Sequence, residues 1–85
     1  MVYVDQLRDW GWRLGPSCHL GADSPEELHA FATRLGLKRS WCQPARRGRG
    51  PHYDLTARRR AAAVRMGAAE LTDREFLSRL RGGVS

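Results

Sequence analysis

Three histidines, His19, His29 and His52, two carboxylates near them in sequence, Asp23 and Asp54, and a block of arginines are the side chains of this chain best suited to move a proton, hold a metal or bind an anion. The densest grouping is His52-Tyr53-Asp54-Leu55-Thr56, which runs directly into Arg58-Arg59-Arg60. Thr56 reads as the N-cap of a helix over about 57–66, so the three arginines fall in its first turn. Cations are disfavoured at that end of a helix, where unpaired N–H groups and the dipole attract anions. Three of them there make sense if something negative binds. The pattern therefore predicts a phosphate site at the N-terminus of this helix, with Arg58, Arg59 and Arg60 supplying charge and His52 and Asp54 supplying orientation. Arg46, Arg47 and Arg49, in the loop just before it, would act as an accessory clamp. The plainer reading is that these arginines extend into water at a cost of tenths of a kcal/mol each.

The histidines admit two further chemistries. His19 and His52, with Asp54, could serve as general base and general acid for phosphodiester cleavage, with arginine stabilising the developing charge. Alternatively His19, His29 and His52, with Asp23 or Asp54, could ligate a divalent metal. No His-x-His or His-x3-His pair is present, so spacing gives no ground for expecting a metal or other cofactor. Each histidine alone is as well explained by a hydrogen-bonded structural role, and His29 can simply flank the apolar face of its helix. Trp10, Trp12, Trp41 and Tyr53 could stack a base, although a small core also needs large aromatics. Arg46-Arg47-Gly48-Arg49-Gly50 resembles an RGG segment in a single copy. P-loop, GxGxxG, GxSxG, CxxC and zinc-finger spacings are absent.

These residues need elements to position them. Val2-Tyr3-Val4 is a short β-prone run ending in Asp5, and 17–22 reads as a second strand carrying His19, after an aromatic-rich turn over 6–16. Ser24-Pro25-Glu26-Glu27 supplies a capping box with proline at the first helical position. Leu28, Phe31, Ala32 and Leu35 follow at helical spacing and Gly36 stops the run, which predicts a helix over 25–35. Residues 40–43 read as a third strand and 44–51 as a flexible surface loop. The second helix ends at Gly67, and 68–71 reads as a fourth strand. Thr72 and Glu75 form another capping box, with Leu71 and Phe76 as a hydrophobic staple, for a last helix closed by Gly82-Gly83.

The chain has 85 residues and a net charge of +6. Nine basic residues and one acid lie between Lys38 and Arg65, so this segment is strongly positive on a mildly acidic body. One-sided charge of this kind is the footprint of a phosphate-bearing partner, although 14 of the 15 basic residues are arginines that a GC-rich genome would supply without selection. The size permits a single domain with one small core. No apolar run approaches the roughly 20 residues that span a bilayer, and the N-terminus does not read as a signal peptide, so a cytoplasmic protein with no membrane partner is expected. Cys18 and Cys42 are too few for a disulfide scaffold and read as small apolar residues. The expected fold is α/β or α+β, about three helices packed on a short three- to four-stranded sheet.

Tyr3-Val4-Asp5, Cys18-His19-Leu20 with Ala22-Asp23, Glu27-Leu28-His29-Ala30-Phe31-Ala32, Arg39-Ser40-Trp41 and His52-Tyr53-Asp54-Leu55-Thr56 together resemble a short bacterial and phage family of unknown function, DUF4031, over roughly 2–71. The resemblance implies functional weight on His19, Asp23, His29, Trp41, Gln43, His52, Tyr53 and Asp54, and brings no activity with it. Two positions depart from its pattern: Gln6 stands where a second acid is common, and Cys42 where an aromatic is usual. The leading expectation is binding of nucleic acid or a nucleotide-like phosphate at the second helix. A small phosphoesterase or nuclease using His19 and His52, and a protein-interaction module for an acidic partner, are the alternatives.

Overall fold

The computed structural model describes residues 1–80 except Trp10, Trp12, Leu14, Arg47 and Gly48. Its elements are β1 (Val2–Val4), β2 (Ser17–Ala22), α1 (Pro25–Leu35), a single 3-10 turn (Arg39–Trp41), β3 (Tyr53–Thr56), α2 (Ala57–Arg65), β4 (Ala69–Glu70) and α3 (Asp73–Leu80). The strands form one mixed sheet in the order β3-β2-β1-β4. β2 runs antiparallel to both β1 and β3, while β4 lies parallel to β1. This is an α+β domain, within the fold class expected from the sequence.

The helix starts follow their local chemistry. Ser24 accepts from the Glu27 N–H, and Gly36, at a φ of 89°, closes α1 in the left-handed region where glycine carries no Cβ penalty. Thr56 accepts from the Arg59 N–H to open α2. Thr72 and Glu75 bond reciprocally at α3, at 2.8 and 3.1 Å. Leu71 packs with Phe76, completing the staple.

Alternation along the strands divides the molecule into two layers. Val4, Cys18, Leu20, Tyr53 and Leu55 point to one face and pack with Leu28, Phe31 and Ala32 of α1 and Ala63 of α2. Tyr3 points to the other face and packs with Phe76 and Leu80 of α3, its ring edge-on to Phe76 at 5.3 Å. Gly21, opposite Tyr3 in the register, lets this second layer close. A Cβ there would lie 3.0 Å from both the Phe76 and Tyr3 rings.

One local expectation is corrected. Residues 40–43 are not a strand: Arg39–Trp41 make a 3-10 turn, and Gln43 forms only an isolated bridge to His52. Trp41 is 43% exposed, with Lys38 and Arg59 over its ring at 5.7 and 5.2 Å, so this run buries no alternating face that would hold it in a sheet. The third strand is instead Tyr53–Thr56, whose burial alternates and whose last residue doubles as the cap of α2. Within 44–51, three described residues make backbone hydrogen bonds. Arg46 and Arg49 exchange backbone hydrogen bonds at 2.9 Å, and the Gly50 N–H donates to the Leu80 carbonyl at 2.7 Å. The closing glycines 82 and 83 lie outside the described residues.

Candidate functional site

A row of polar residues crosses the face of the sheet that carries α3. His19 of β2 lies directly opposite Asp54 of β3 in the antiparallel register. Asp5, the residue after β1, joins the same row by donating its N–H to the His19 carbonyl at 3.3 Å. Asp5 is only 6% exposed. One of its carboxylate oxygens accepts from the His19 backbone N–H at 2.6 Å and the other lies 2.8 Å from His19 Nδ1. A carboxylate on Nδ1 holds the proton there and leaves the Nε2 lone pair for whatever stands on the other side. That is where Asp54 lies, its Oδ1 3.6 Å from His19 Nε2.

His52 completes the group. Its backbone is fixed by the reciprocal bonds with Gln43, at 2.7 and 3.1 Å, and its ring stands edge-on to His19 with centroids 5.3 Å apart. The Gly50 carbonyl lies 3.5 Å from His52 Nδ1, which leaves Nε2 as its free nitrogen. One ligating atom from each of His19, His52 and Asp54 falls within a mutual distance of 4.8 Å. The environments push the two imidazoles in opposite directions. The Asp5 hydrogen bond, opposed by burial, raises the pKa of His19. Burial lowers that of His52, partly offset by the Gly50 carbonyl.

His19, His52 and Asp5 line a cleft of about 350 Å³ between the sheet and α3, while Asp54 borders the hollow on its other side. Phe76, Leu77 and Leu80 form its apolar wall, and the His19 ring lies 6.0 Å from that of Phe76. Arg8, Arg49 and Asp73 line its mouth, where the Arg8 guanidinium is held by the Asp73 carboxylate through both Nε and Nη2. On the far side of Asp54 a second hollow of about 270 Å³ is lined by Trp41, Arg59 and Thr56.

The remaining expected site residues fall elsewhere. His29 and Tyr53 are on the opposite face of the sheet, where His29 Nδ1 meets the Tyr53 hydroxyl at 2.8 Å. Burial, then Arg39, lowers the His29 pKa. Asp23 is ion-paired with Arg79 at 3.2 Å, away from the cleft. Gln43 contributes through its backbone. Arg58, Arg59 and Arg60 do not converge. Arg58 is exposed and Arg59 lies over Trp41. Arg60 is turned in, donating to the Asp5 carbonyl at 2.9 Å and to Glu70 at 3.1 Å. Arg49 reaches the cleft, Arg46 is exposed beside it, and Arg47, Trp10 and Trp12 lie outside the described residues. Sequence reasoning passed over Asp5, Arg8 and Asp73. The available signal for Asp5 was an acid immediately after a β-prone run, at the end of a strand where open sheets place their ligands.

Residues 2–82 match the model of the family described as Protein of unknown function (DUF4031). The chain belongs to that family. No curated protein and no solved structure matches it. The family description assigns no activity, so any functional reading of this DUF4031 chain rests on the cleft itself. Cys18, buried between β2 and the helices, is a free thiol pushed up to about 12 by burial and then by Asp5, which makes it an unreactive core residue. Among the described residues no helix is long and apolar enough to cross a membrane.

Proposed function

We propose that the cleft beside α3 hydrolyses a phosphoester of nucleotide-like size. The observation that carries this reading is the convergence of His19 of β2, Asp54 of β3 and His52 just before β3, with His19 braced by the buried Asp5. Hydrolysis needs a water oxygen brought to phosphorus, the bond from phosphorus to the leaving oxygen broken, one water proton accepted and one proton returned to the leaving oxygen. Three proton- or metal-binding atoms within one water's reach are suited to this. A buried carboxylate behind one of them fixes its tautomer, as in acid–base sites generally. Arg49 and Arg8 at the mouth meet the phosphate's charge. Trp41, with Arg59 across its ring, offers a stacking surface in the adjoining hollow.

The test is turnover of a panel of nitrophenyl phosphomonoesters and diesters, nucleotides and short single-stranded oligonucleotides by purified protein and by His52→Asn. Turnover that falls by about 10²–10⁴ in the variant, with the fold intact, is the expected result. A chain that turns over none of these substrates would remove the proposal. Binding of nucleic acid without chemistry is the second reading, favoured by the exposed Trp41 between Lys38 and Arg59. It predicts affinity that falls with salt, log K dropping by about 0.7 per phosphate contact on a single strand for each unit of log salt.

A further inference from the structure

Each imidazole in the cleft has its Nδ1 turned to an oxygen, the Asp5 carboxylate at 2.8 Å for His19 and the Gly50 carbonyl at 3.5 Å for His52. These oxygens favour the proton on Nδ1 and leave Nε2 as the lone-pair donor of each ring. Asp54 adds a carboxylate oxygen 3.6 Å from one of those nitrogens, beyond ordinary hydrogen-bond length. One donor atom from each of His19, His52 and Asp54 lies within 4.8 Å of the others, an arrangement that a cation between them would stabilise.

We propose that His19, His52 and Asp54 bind one divalent transition-metal ion, with Asp5 as the residue that orients His19 toward it. Two imidazoles and a carboxylate suit zinc, manganese, iron or cobalt rather than magnesium or calcium, which prefer all-oxygen shells. Metal bonds of about 2.1 Å place tetrahedral ligands roughly 3.4 Å apart, close to the His19–Asp54 spacing. The atoms of the group lie within 4.8 Å of one another, so its widest spacing closes by up to about 1.4 Å to reach a tetrahedral shell. Three protein ligands leave a fourth position for water, on the side of the cleft. The carboxylate behind His19 is the usual partner of a metal-bound imidazole, fixing its ring and raising its basicity. His29, which a search by residue type would include, is on the other face of the sheet and takes no part.

The inference rests on the hydrolytic reading for its purpose, since the metal would activate the attacking water, and on the ligand geometry alone for its existence. Its test uses the full chain without a histidine tag, stripped with a chelator and titrated with cobalt(II) followed by zinc(II). One equivalent of cobalt with visible d–d bands is expected, displaced by zinc and unchanged in Cys42→Ser. His52→Asn and Asp54→Asn lose the spectrum while circular dichroism stays the same. Asp5→Asn turns an amide N–H toward Nδ1, moves the His19 proton to Nε2 and weakens binding about 10- to 100-fold. No binding, or binding that survives both His52→Asn and Asp54→Asn, would overturn the proposal. Turnover is read on the same samples. Stoichiometric metal without phosphoester hydrolysis removes the functional reading and leaves the site. Full, His52-dependent turnover by the stripped chain removes the metal and leaves the reading.

Discussion

The two faces of the sheet are built from alternate residues of the same strands, yet they differ in kind. The face under α1 and α2 is closed by Val4, Cys18, Leu20, Tyr53 and Leu55, and the polar pairing at its edge, His29 with the Tyr53 hydroxyl, is internally satisfied. The face under α3 has a small apolar patch, Tyr3 with Phe76 and Leu80, and beside it a row of unlike polar groups, Asp5, His19 and Asp54, joined by His52. Burial on the first face follows the ordinary economics of a core. On the second, a carboxylate and two imidazoles are held near apolar walls, where charge is costly unless something meets it. The difference teaches that in an 85-residue domain one layer can hold most of the apolar core while the other gathers polar groups.

The comparison can be broken in several places. The largest effect is expected at His19. His19→Asn lowers phosphoester turnover by about 10²–10⁴, roughly 3–5 kcal/mol of barrier, with the unfolding midpoint little changed. Parallel kinetics and urea unfolding check this, and a variant that unfolds would make His19 a structural residue. Its neighbour Leu20, pointing the other way and fully buried, behaves in reverse. Leu20→Ala costs about 2–5 kcal/mol of stability, a large share of what so small a domain has. Any fraction that stays folded keeps its turnover per molecule. Gly21→Ala should cost less, about 1–3 kcal/mol, because the added methyl meets the Phe76 and Tyr3 rings and α3 must shift. Since Phe76 lines the cleft, substrate affinity should fall together with stability in this variant alone among the three.

How much of this could be read from the chain is best seen residue by residue. The helix ends were legible because Ser24, Thr56 and Thr72 act on N–H groups three residues away. Strand pairing was not, because nothing local places His19 opposite Asp54. The directions taken by the arginines of α2 were hidden for the same reason. Their position in the helix was visible, but not that Arg60 would be drawn to the carbonyl of Asp5 and to Glu70, or Arg59 to Trp41. His-Tyr-Asp looked like a single cluster in sequence. The strand divides it, sending His52 and Asp54 to one face and Tyr53 to the other.

The smallest expected effect lies at the start of α3, where Glu75 sharpens the account of how that layer is held. Hydrogen bonding to the Thr72 backbone N–H, and then to its side chain, holds the Glu75 carboxyl below its ordinary value of 4.5. Its folded pKa is depressed, so its contribution to stability is present above the unfolded value and lost as pH falls through the folded one. The stability difference between the native chain and Glu75→Ala should therefore shrink on acidification below about pH 4.5, measured by urea unfolding at a series of pH values. A difference that is flat across that window would deny Glu75 its capping role.

The division between the faces is tested most directly at adjacent residues of one chain segment. His52→Asn and Tyr53→Phe are compared for phosphoester turnover and for unfolding free energy. His52→Asn should lower turnover by about 10²–10⁴ and leave stability within about 0.5 kcal/mol of native, as for a change that removes no packed apolar group. Tyr53→Phe should keep turnover and lose about 0.5–1.5 kcal/mol with its hydrogen bond to His29. Turnover lost in a fully folded Tyr53→Phe, or retained in His52→Asn, would contradict the account.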